Sequence, residues 1–164
     1  MKKLATIVAA LFLLTASAWA QDGNSLYNKY SDNEKVTAVY ISPAMFELIG
    51  KLPNMDMKDS PVDIAALIKE LKGMYILGSE DPKTTEDLID DVKKYIKKNK
   101  FEMLMEIKEK GETIKMYTSG TDKTVYQFIL TATGDDGFKF ICLDGDISRK
   151  DLEKAIEESV PKAE

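Results

Sequence analysis

The chain has 164 residues, a formal net charge of −5 and no histidine. A mildly acidic protein gains nothing electrostatically from phosphate backbones or anionic lipid, so nucleic-acid and membrane-surface binding are disfavoured. The lack of histidine excludes Ser-His-Asp and Cys-His catalysis and imidazole metal sites. The single cysteine, Cys142, lies in an apolar run and is predicted to be a buried small hydrophobe; a reactive thiol is the alternative.

Residues 1–20 have the layout of a cleaved secretory signal. Lys2 and Lys3 precede an apolar stretch over residues 4–14, and Ala18-Trp19-Ala20 provides the small residues that a signal peptidase recognises. The apolar stretch is shorter than the roughly 20 residues of a spanning helix, which disfavours an uncleaved anchor. We therefore expect an exported protein, periplasmic or extracellular, that has no stable membrane span after cleavage.

Residues 21–34 are polar and predict a flexible N-terminal lead-in or a short helix around Leu26 to Tyr30. We predict one domain over residues 35–160, without internal repeats. Its first strand is the apolar stretch at residues 36–41. Ser42 and Pro43 then begin a helix that Pro53 ends, because serine is a good N-cap and proline suits the first helical turn.

The next two helices flank a predicted short strand, MYILGSE. The first, SPVDIAALIKELKG, ends at Gly73 and has an apolar stripe at Ile64, Leu67, Ile68 and Leu71. The second, TTEDLIDDVKKYIKKN, has its acidic residues first and its lysines last, which complements the helix dipole and allows pairs such as Asp90–Lys94. Its lysine cluster is predicted to be a solvated helix end. Its apolar face consists of Leu88, Val92, Tyr95 and Ile96.

From residue 101 the hydrophobic period changes from 3.6 to 2. Strands at residues 101–108, 114–117, 125–133 and 138–143 are separated by turn signals, and a helix follows at residues 149–159. The fold class is therefore α+β. We predict a mainly antiparallel sheet, formed by a four-stranded C-terminal meander and two earlier strands, with helices packed on one face in two layers.

The segment CLDGDISRKDLEKAIEE, residues 142–158, has the outline of a calcium loop. An EF-hand counted from Asp144 requires glycine at its sixth position and glutamate at its twelfth, where this chain has Arg149 and Ala155. The pattern favours a joint between a strand and a helix. In that joint Asp144-Gly145-Asp146 turns the chain, and Ser148 caps the helix with Asp151 three residues on.

Methionine is the one unusual enrichment. Met55-x-Met57 and Met103-x-Met105 have a spacing that copper(I) thioether sites can use. A structural role is favoured, because Met103 and Met105 are predicted to share one face of a strand and fill the core. A third interpretation is an adaptable, methionine-lined apolar groove for a peptide or a lipid.

Three stretches together resemble a known family: VYISPAMFELI, EIKEKGETIKMYT and FKFICLDGDISRKDLEKAI. They are similar to a family of small exported Bacteroidetes proteins that is catalogued as a domain of unknown function, DUF4252. The resemblance spans most of the chain after residue 20 and implies no catalytic residues or cofactor. Some members are encoded near sigma and anti-sigma factor genes, which implies a link to envelope signalling.

These patterns predict a non-enzymatic binding or interaction domain of the cell envelope. Its partner would be an envelope protein or a small apolar ligand, and we expect no catalytic residue, metal or cofactor. One alternative is a carboxylate-based hydrolase, since carboxylates are numerous although no pair stands out. The other is a carrier of an apolar lipid or peptide.

Overall fold

The computed structural model describes residues 23–49 and 68–159. The predicted signal segment, the Met55-x-Met57 pair and the first part of the predicted helix at residues 60–73 lie outside these ranges. No helix within them is long and apolar enough to span a membrane. The helices and strands are α1 (Asn24–Tyr30), β1 (Thr37–Ile41), α2 (Pro43–Ile49), β2 (Leu71–Ser79), α3 (Pro82–Lys98), β3 (Glu102–Glu109), β4 (Glu112–Gly120), β5 (Thr124–Gly134), β6 (Gly137–Ser148) and α4 (Arg149–Ser159).

The six strands form one antiparallel sheet in the order β1-β2-β6-β5-β4-β3. This confirms the predicted C-terminal meander, β3 to β6, and the two earlier strands beside it. The hairpin between β3 and β4 turns on Lys110 and Gly111, whose φ angles of 49° and 88° are both left-handed. Two such residues in succession match the right-handed twist of the flanking strands.

One face of the sheet, here the first face, packs against α1 and α3. Leu77 and Phe140 lie side by side on it, as do Cys142 and Ile129, and all four are fully buried. Asp81 begins α3 by accepting a hydrogen bond from the Thr84 amide at 3.1 Å. The predicted apolar face of α3 is confirmed, since Leu88, Val92 and Tyr95 are buried in this core.

The opposite face, here the second face, is also apolar. One row of paired residues crosses the whole sheet on this side. The expected placement of the helices on one face holds for α1 and α3, whereas α4 packs Leu152 and Ile156 against Phe128 and its neighbours on the second face. The row consists of Val39, Ile76, Ile141, Leu130, Met116 and Met105.

The N-terminal lead-in takes the second of its two predicted forms, a short helix. Leu26 and Tyr30 of α1 are buried in the first-face core beside Tyr75. The predicted domain begins at residue 35, but the packed body already includes α1. The polar composition of the segment does not indicate this packing, because the two buried side chains, Leu26 and Tyr30, are enough to hold the seven-residue helix on the sheet.

Strand β2 begins earlier than the sequence predicts. The helix expected to end at Gly73 stops before Leu71, which is the first residue of β2, and Gly73 pairs with Asp144 in β6. The Glu70 carbonyl accepts a hydrogen bond from the Asp146 amide at 3.0 Å. This contact between distant parts of the chain overrides the helical period, which is a local signal.

We predict that Phe140→Ala lowers the free energy of unfolding by about 3–5 kcal/mol, because Phe140 is fully buried between both helices and the sheet. Urea unfolding monitored by circular dichroism measures this change. Tyr126→Ala is the control, because Tyr126 is an exposed aromatic residue of the adjacent strand β5 and should cost less than about 1 kcal/mol. Equal losses in the two variants would contradict the assignment of the core.

Candidate binding surface

The Asp144-Gly145-Asp146 segment lies inside β6 and does not form the predicted turn. The Asp144 carboxylate accepts hydrogen bonds from the Gly23 amide at 3.2 Å and from Gln127 Nε2 at 2.9 Å. Asp146 instead pairs with Lys72, with Nζ and Oδ2 2.5 Å apart. The carboxylates of Asp144 and Asp146 therefore bind different groups. No cluster of three metal-ligating side chains occurs within residues 23–49 and 68–159.

The predicted cap of the last helix is confirmed. The Asp151 amide donates to Ser148 Oγ at 3.4 Å at the start of α4. The Ser148 amide donates to Glu70 Oε2 at 2.8 Å. In a reciprocal capping pair the Asp151 side chain would accept this hydrogen bond, but here Glu70, from a distant part of the chain, accepts it. The joint fixes α4 to the start of β2.

Cys142 is buried, as predicted, and its thiol lies 3.4 Å from Asp144 Oδ1. A polar chain continues from Asp144 through Gln127, whose Nε2 donates to the Tyr95 hydroxyl at 3.0 Å. Gly23 approaches so closely that a Cβ on it would lie 2.8 Å from Cys142 Sγ. The network holds α1 and α3 in position on the first face, which is a structural role for each of these groups.

A second polar cluster joins α1 to α3. Asp91 forms an ion pair with Lys29 and accepts a hydrogen bond from the Tyr30 hydroxyl at 2.6 Å. Burial alone would raise the pKa of Asp91, but the bonds from Lys29 and Tyr30 outweigh it and hold the pKa below its ordinary value. Burial and the same carboxylate raise the pKa of Tyr30. In place of the predicted Asp90–Lys94 pair, Lys94 pairs with Asp91, with Nζ and Oδ1 3.5 Å apart.

An open cleft of about 490 Å³ lies at one end of β1 and β2. Its walls include charges of both signs, among them Lys35 and Asp81, whose Nζ and Oδ2 are 3.0 Å apart. Hydrogen bonds from Thr84 and Lys35 lower the pKa of Asp81 to about 2. A carboxyl group that caps a helix and stays ionised is unsuited to act as a general acid.

The methionines of β3 do not share a face, contrary to the prediction. A bulge at Leu104 separates them, so that Met103 pairs with Tyr117 whereas Met105 pairs with Met116. Adjacent residues of β4 point to opposite faces, so the two sulfur atoms cannot bind one copper ion. Met103 is 49% exposed on the side of the first face. Met105 belongs to the second face.

The second face is an apolar surface that the described helices leave partly open. Ile76, Ile141, Leu130 and Met116 run across four adjacent strands, and each keeps part of its surface exposed. Large exposed apolar patches commonly mark interaction sites in soluble proteins. Methionine side chains are flexible and polarisable, so Met74, Met105 and Met116 make this surface adaptable. No single stretch of sequence reveals it, since its residues come from six strands.

Residues 30–155 match a family described as a domain of unknown function, DUF4252. The match covers all six strands and reaches into α4. No curated protein and no solved structure matches the chain.

We predict that Asp91→Asn makes the free energy of unfolding less dependent on pH in the acidic range. The folded-state pKa of Asp91 is lowered, so its stabilising contribution is present above the unfolded pKa of about 3.9 and is lost as pH falls through the folded value. Urea unfolding at a series of acidic pH values measures this. Asp90→Asn is the matched control, because Asp90 is more exposed and lies 3.9 Å from its lysine. If the free energy of unfolding of Asp91→Asn depended on pH as steeply as that of the wild type, the role of the cluster would be contradicted.

Proposed function

We propose that this chain, which belongs to the DUF4252 family, is an exported, non-enzymatic binding domain of the cell envelope. The second face is its binding surface, and the occupant is an amphipathic helix of an envelope protein. The signal-like layout of residues 1–20 supports export.

The observation that carries this proposal is the row of partly exposed apolar side chains across all six strands. Exposing Ile, Leu and Met side chains costs about 25 cal/mol for each Å² left in water, so a surface of this kind is stabilised when a partner covers it. The alternation of side chains would allow polar residues on a solvated face, as antiparallel sheets commonly have. This chain has Ile76, Ile141 and Leu130 there instead.

The shape of the surface favours a protein helix over a small molecule. Ligand pockets are concave and enclose most of their ligand. The second face, in contrast, is one side of a six-stranded sheet. Helix α4 already packs on this face through Leu152 and Ile156. A helix of a partner would lie on the sheet beside α4, in the geometry of an ordinary layer of helices on a sheet. The resemblance to envelope proteins encoded beside anti-sigma factors fits a signalling role for such a partner.

A carboxylate hydrolase is less well supported. It needs a general acid whose pKa is raised toward neutrality. Asp81, Asp91 and Glu106 have clearly displaced pKa values, and all three are lowered by hydrogen bonds from neighbouring groups. A carrier of free lipid is also less well supported, because the open cleft at β1 and β2 is lined with charged residues.

Site-specific photo-crosslinking in cells tests the proposal. A benzoylphenylalanine at position 105 should crosslink to a segment of one envelope protein whose apolar residues recur at helical spacing. The matched control is the same crosslinker at position 103, which is two residues away in β3 but on the side of the first face. Equal products from the two positions, or products with lipid alone, would reject the second face as the site of protein binding.

We further predict that Met105→Lys weakens binding of the crosslinked helix at least tenfold, since it places a charge in an apolar contact. Met103→Lys should bind as the wild type does. Fluorescence anisotropy with the labelled peptide measures both affinities, and thermal unfolding confirms that both variants are folded. Unchanged affinity in Met105→Lys would contradict the assigned surface.

A further inference from the structure

The two outer strands of the sheet, β1 and β3, differ in how they are protected. β3 has four charged side chains and a bulge at Leu104. Charges and bulges are the usual means by which proteins prevent an edge strand from pairing with another chain. β1 has neither, and within residues 23–49 and 68–159 no strand pairs with its outer side.

The sequence around β1 is that of a central strand. Residues 36–46 contain no charged side chain, in a chain of which 31% of residues are charged. Strand β5, at residues 124–134, is equally free of charge, and it has a neighbouring strand on each side. An edge strand with the composition of a central strand is suited to pairing with a further strand.

Apolar side chains are exposed along this edge. In the described parts of the chain, four of the six exposed large apolar residues lie between positions 39 and 48. Val39 and Tyr40 of β1 are 39% and 46% exposed, and Met45 and Leu48 of α2 are 48% and 58% exposed. Met45 and Leu48 are three residues apart, so they lie on one side of α2, whereas Phe46 is buried. The exposed large apolar residues of the described chain are therefore concentrated in β1 and in the helix that follows it.

We propose that β1 pairs antiparallel with β1 of a second copy of this chain, about a two-fold axis at Val39. The two sheets then form one continuous sheet, and α2 of each copy adds Met45 and Leu48 to the contact. Five paired residues span only roughly 17 Å, so the helices are needed to reach the area of a stable dimer.

The side chains of β1 complement themselves in this register. Tyr40 lies opposite the partner subunit's Ala38, so a large ring meets a small side chain on each side of the axis. The ring of Tyr40 is already held in place, because it stacks on Tyr75 with centroids 5.0 Å apart and an interplanar angle of 16°. Little side-chain entropy is therefore lost when the contact forms.

The lack of charge favours a second copy over an unrelated strand. A two-fold interface places each residue near the axis beside its own copy, so any charge there would face a like charge. An edge that recruits a different protein has no such restriction and can use charges for specificity. β1 and the first residues of α2 carry no charge, as such a two-fold interface requires.

Sedimentation equilibrium of the processed chain, purified from the periplasm, tests the dimer. The wild type should be a dimer in the micromolar range. Val39→Lys should raise the dissociation constant at least about a hundredfold, because two lysines then face each other at the axis. Met103→Lys, an exposed change on the protected edge strand β3, should leave the dimer intact. A monomeric wild type, or a Val39→Lys variant that still forms dimers, overturns the proposal.

A second variant tests the register without weakening the interface. Val39→Cys should form an intermolecular disulfide rapidly under mild oxidation, since Cα atoms of directly opposed antiparallel residues are about 4.5–5.5 Å apart. The native Cys142 is buried and does not compete. Met103→Cys should remain monomeric on a denaturing gel over the same time. Equal rates of disulfide formation in the two variants would show that β1 does not pair at Val39.

Discussion

The sheet of this protein is apolar on both faces, and that constraint governs the rest of the structure. The central strands β5 and β6 alternate between residues that point to opposite sides, and both sets are apolar, as Ile129 and Leu130 show. Helices α1 and α3 bury the first face. On the second face α4 packs Leu152 and Ile156 into a cluster that also contains Val125, Phe128 and Ile147. The two apolar faces of the sheet therefore differ in how the described helices cover them.

The polar groups of the core serve this arrangement. Asp144, Gln127 and Tyr95 form a hydrogen-bonded chain where α1 and α3 meet the sheet, and Asp91 joins the same helices through Tyr30. A buried carboxylate is costly unless it is satisfied, so these contacts fix the helices in one position. Asp144 and Cys142, which the sequence analysis singled out, therefore contribute to the packing of the first face. The proposed binding surface lies on the second face.

Local signals in the sequence predict the meander, α3 and α4, because each depends on a hydrophobic period and on a cap within a few residues. Three features depend on distant contacts and could not be predicted this way. Strand β6 continues through Asp144 because Gly23 and Gln127, from other elements, satisfy its carboxylate. The bulge at Leu104 reverses the face of Met103. The position of β1 at the edge follows from its pairing with β2.

The accessibility of the second face is the claim on which this account depends most directly. NMR of residues 21–164 with methyl-labelled methionine and a soluble paramagnetic agent measures it. The account predicts that the methyl signals of Met74, Met105 and Met116 broaden strongly in the isolated protein and are protected when the partner helix is added. Signals of these three methionines that stay as sharp without a partner as those of core methyl groups would contradict it.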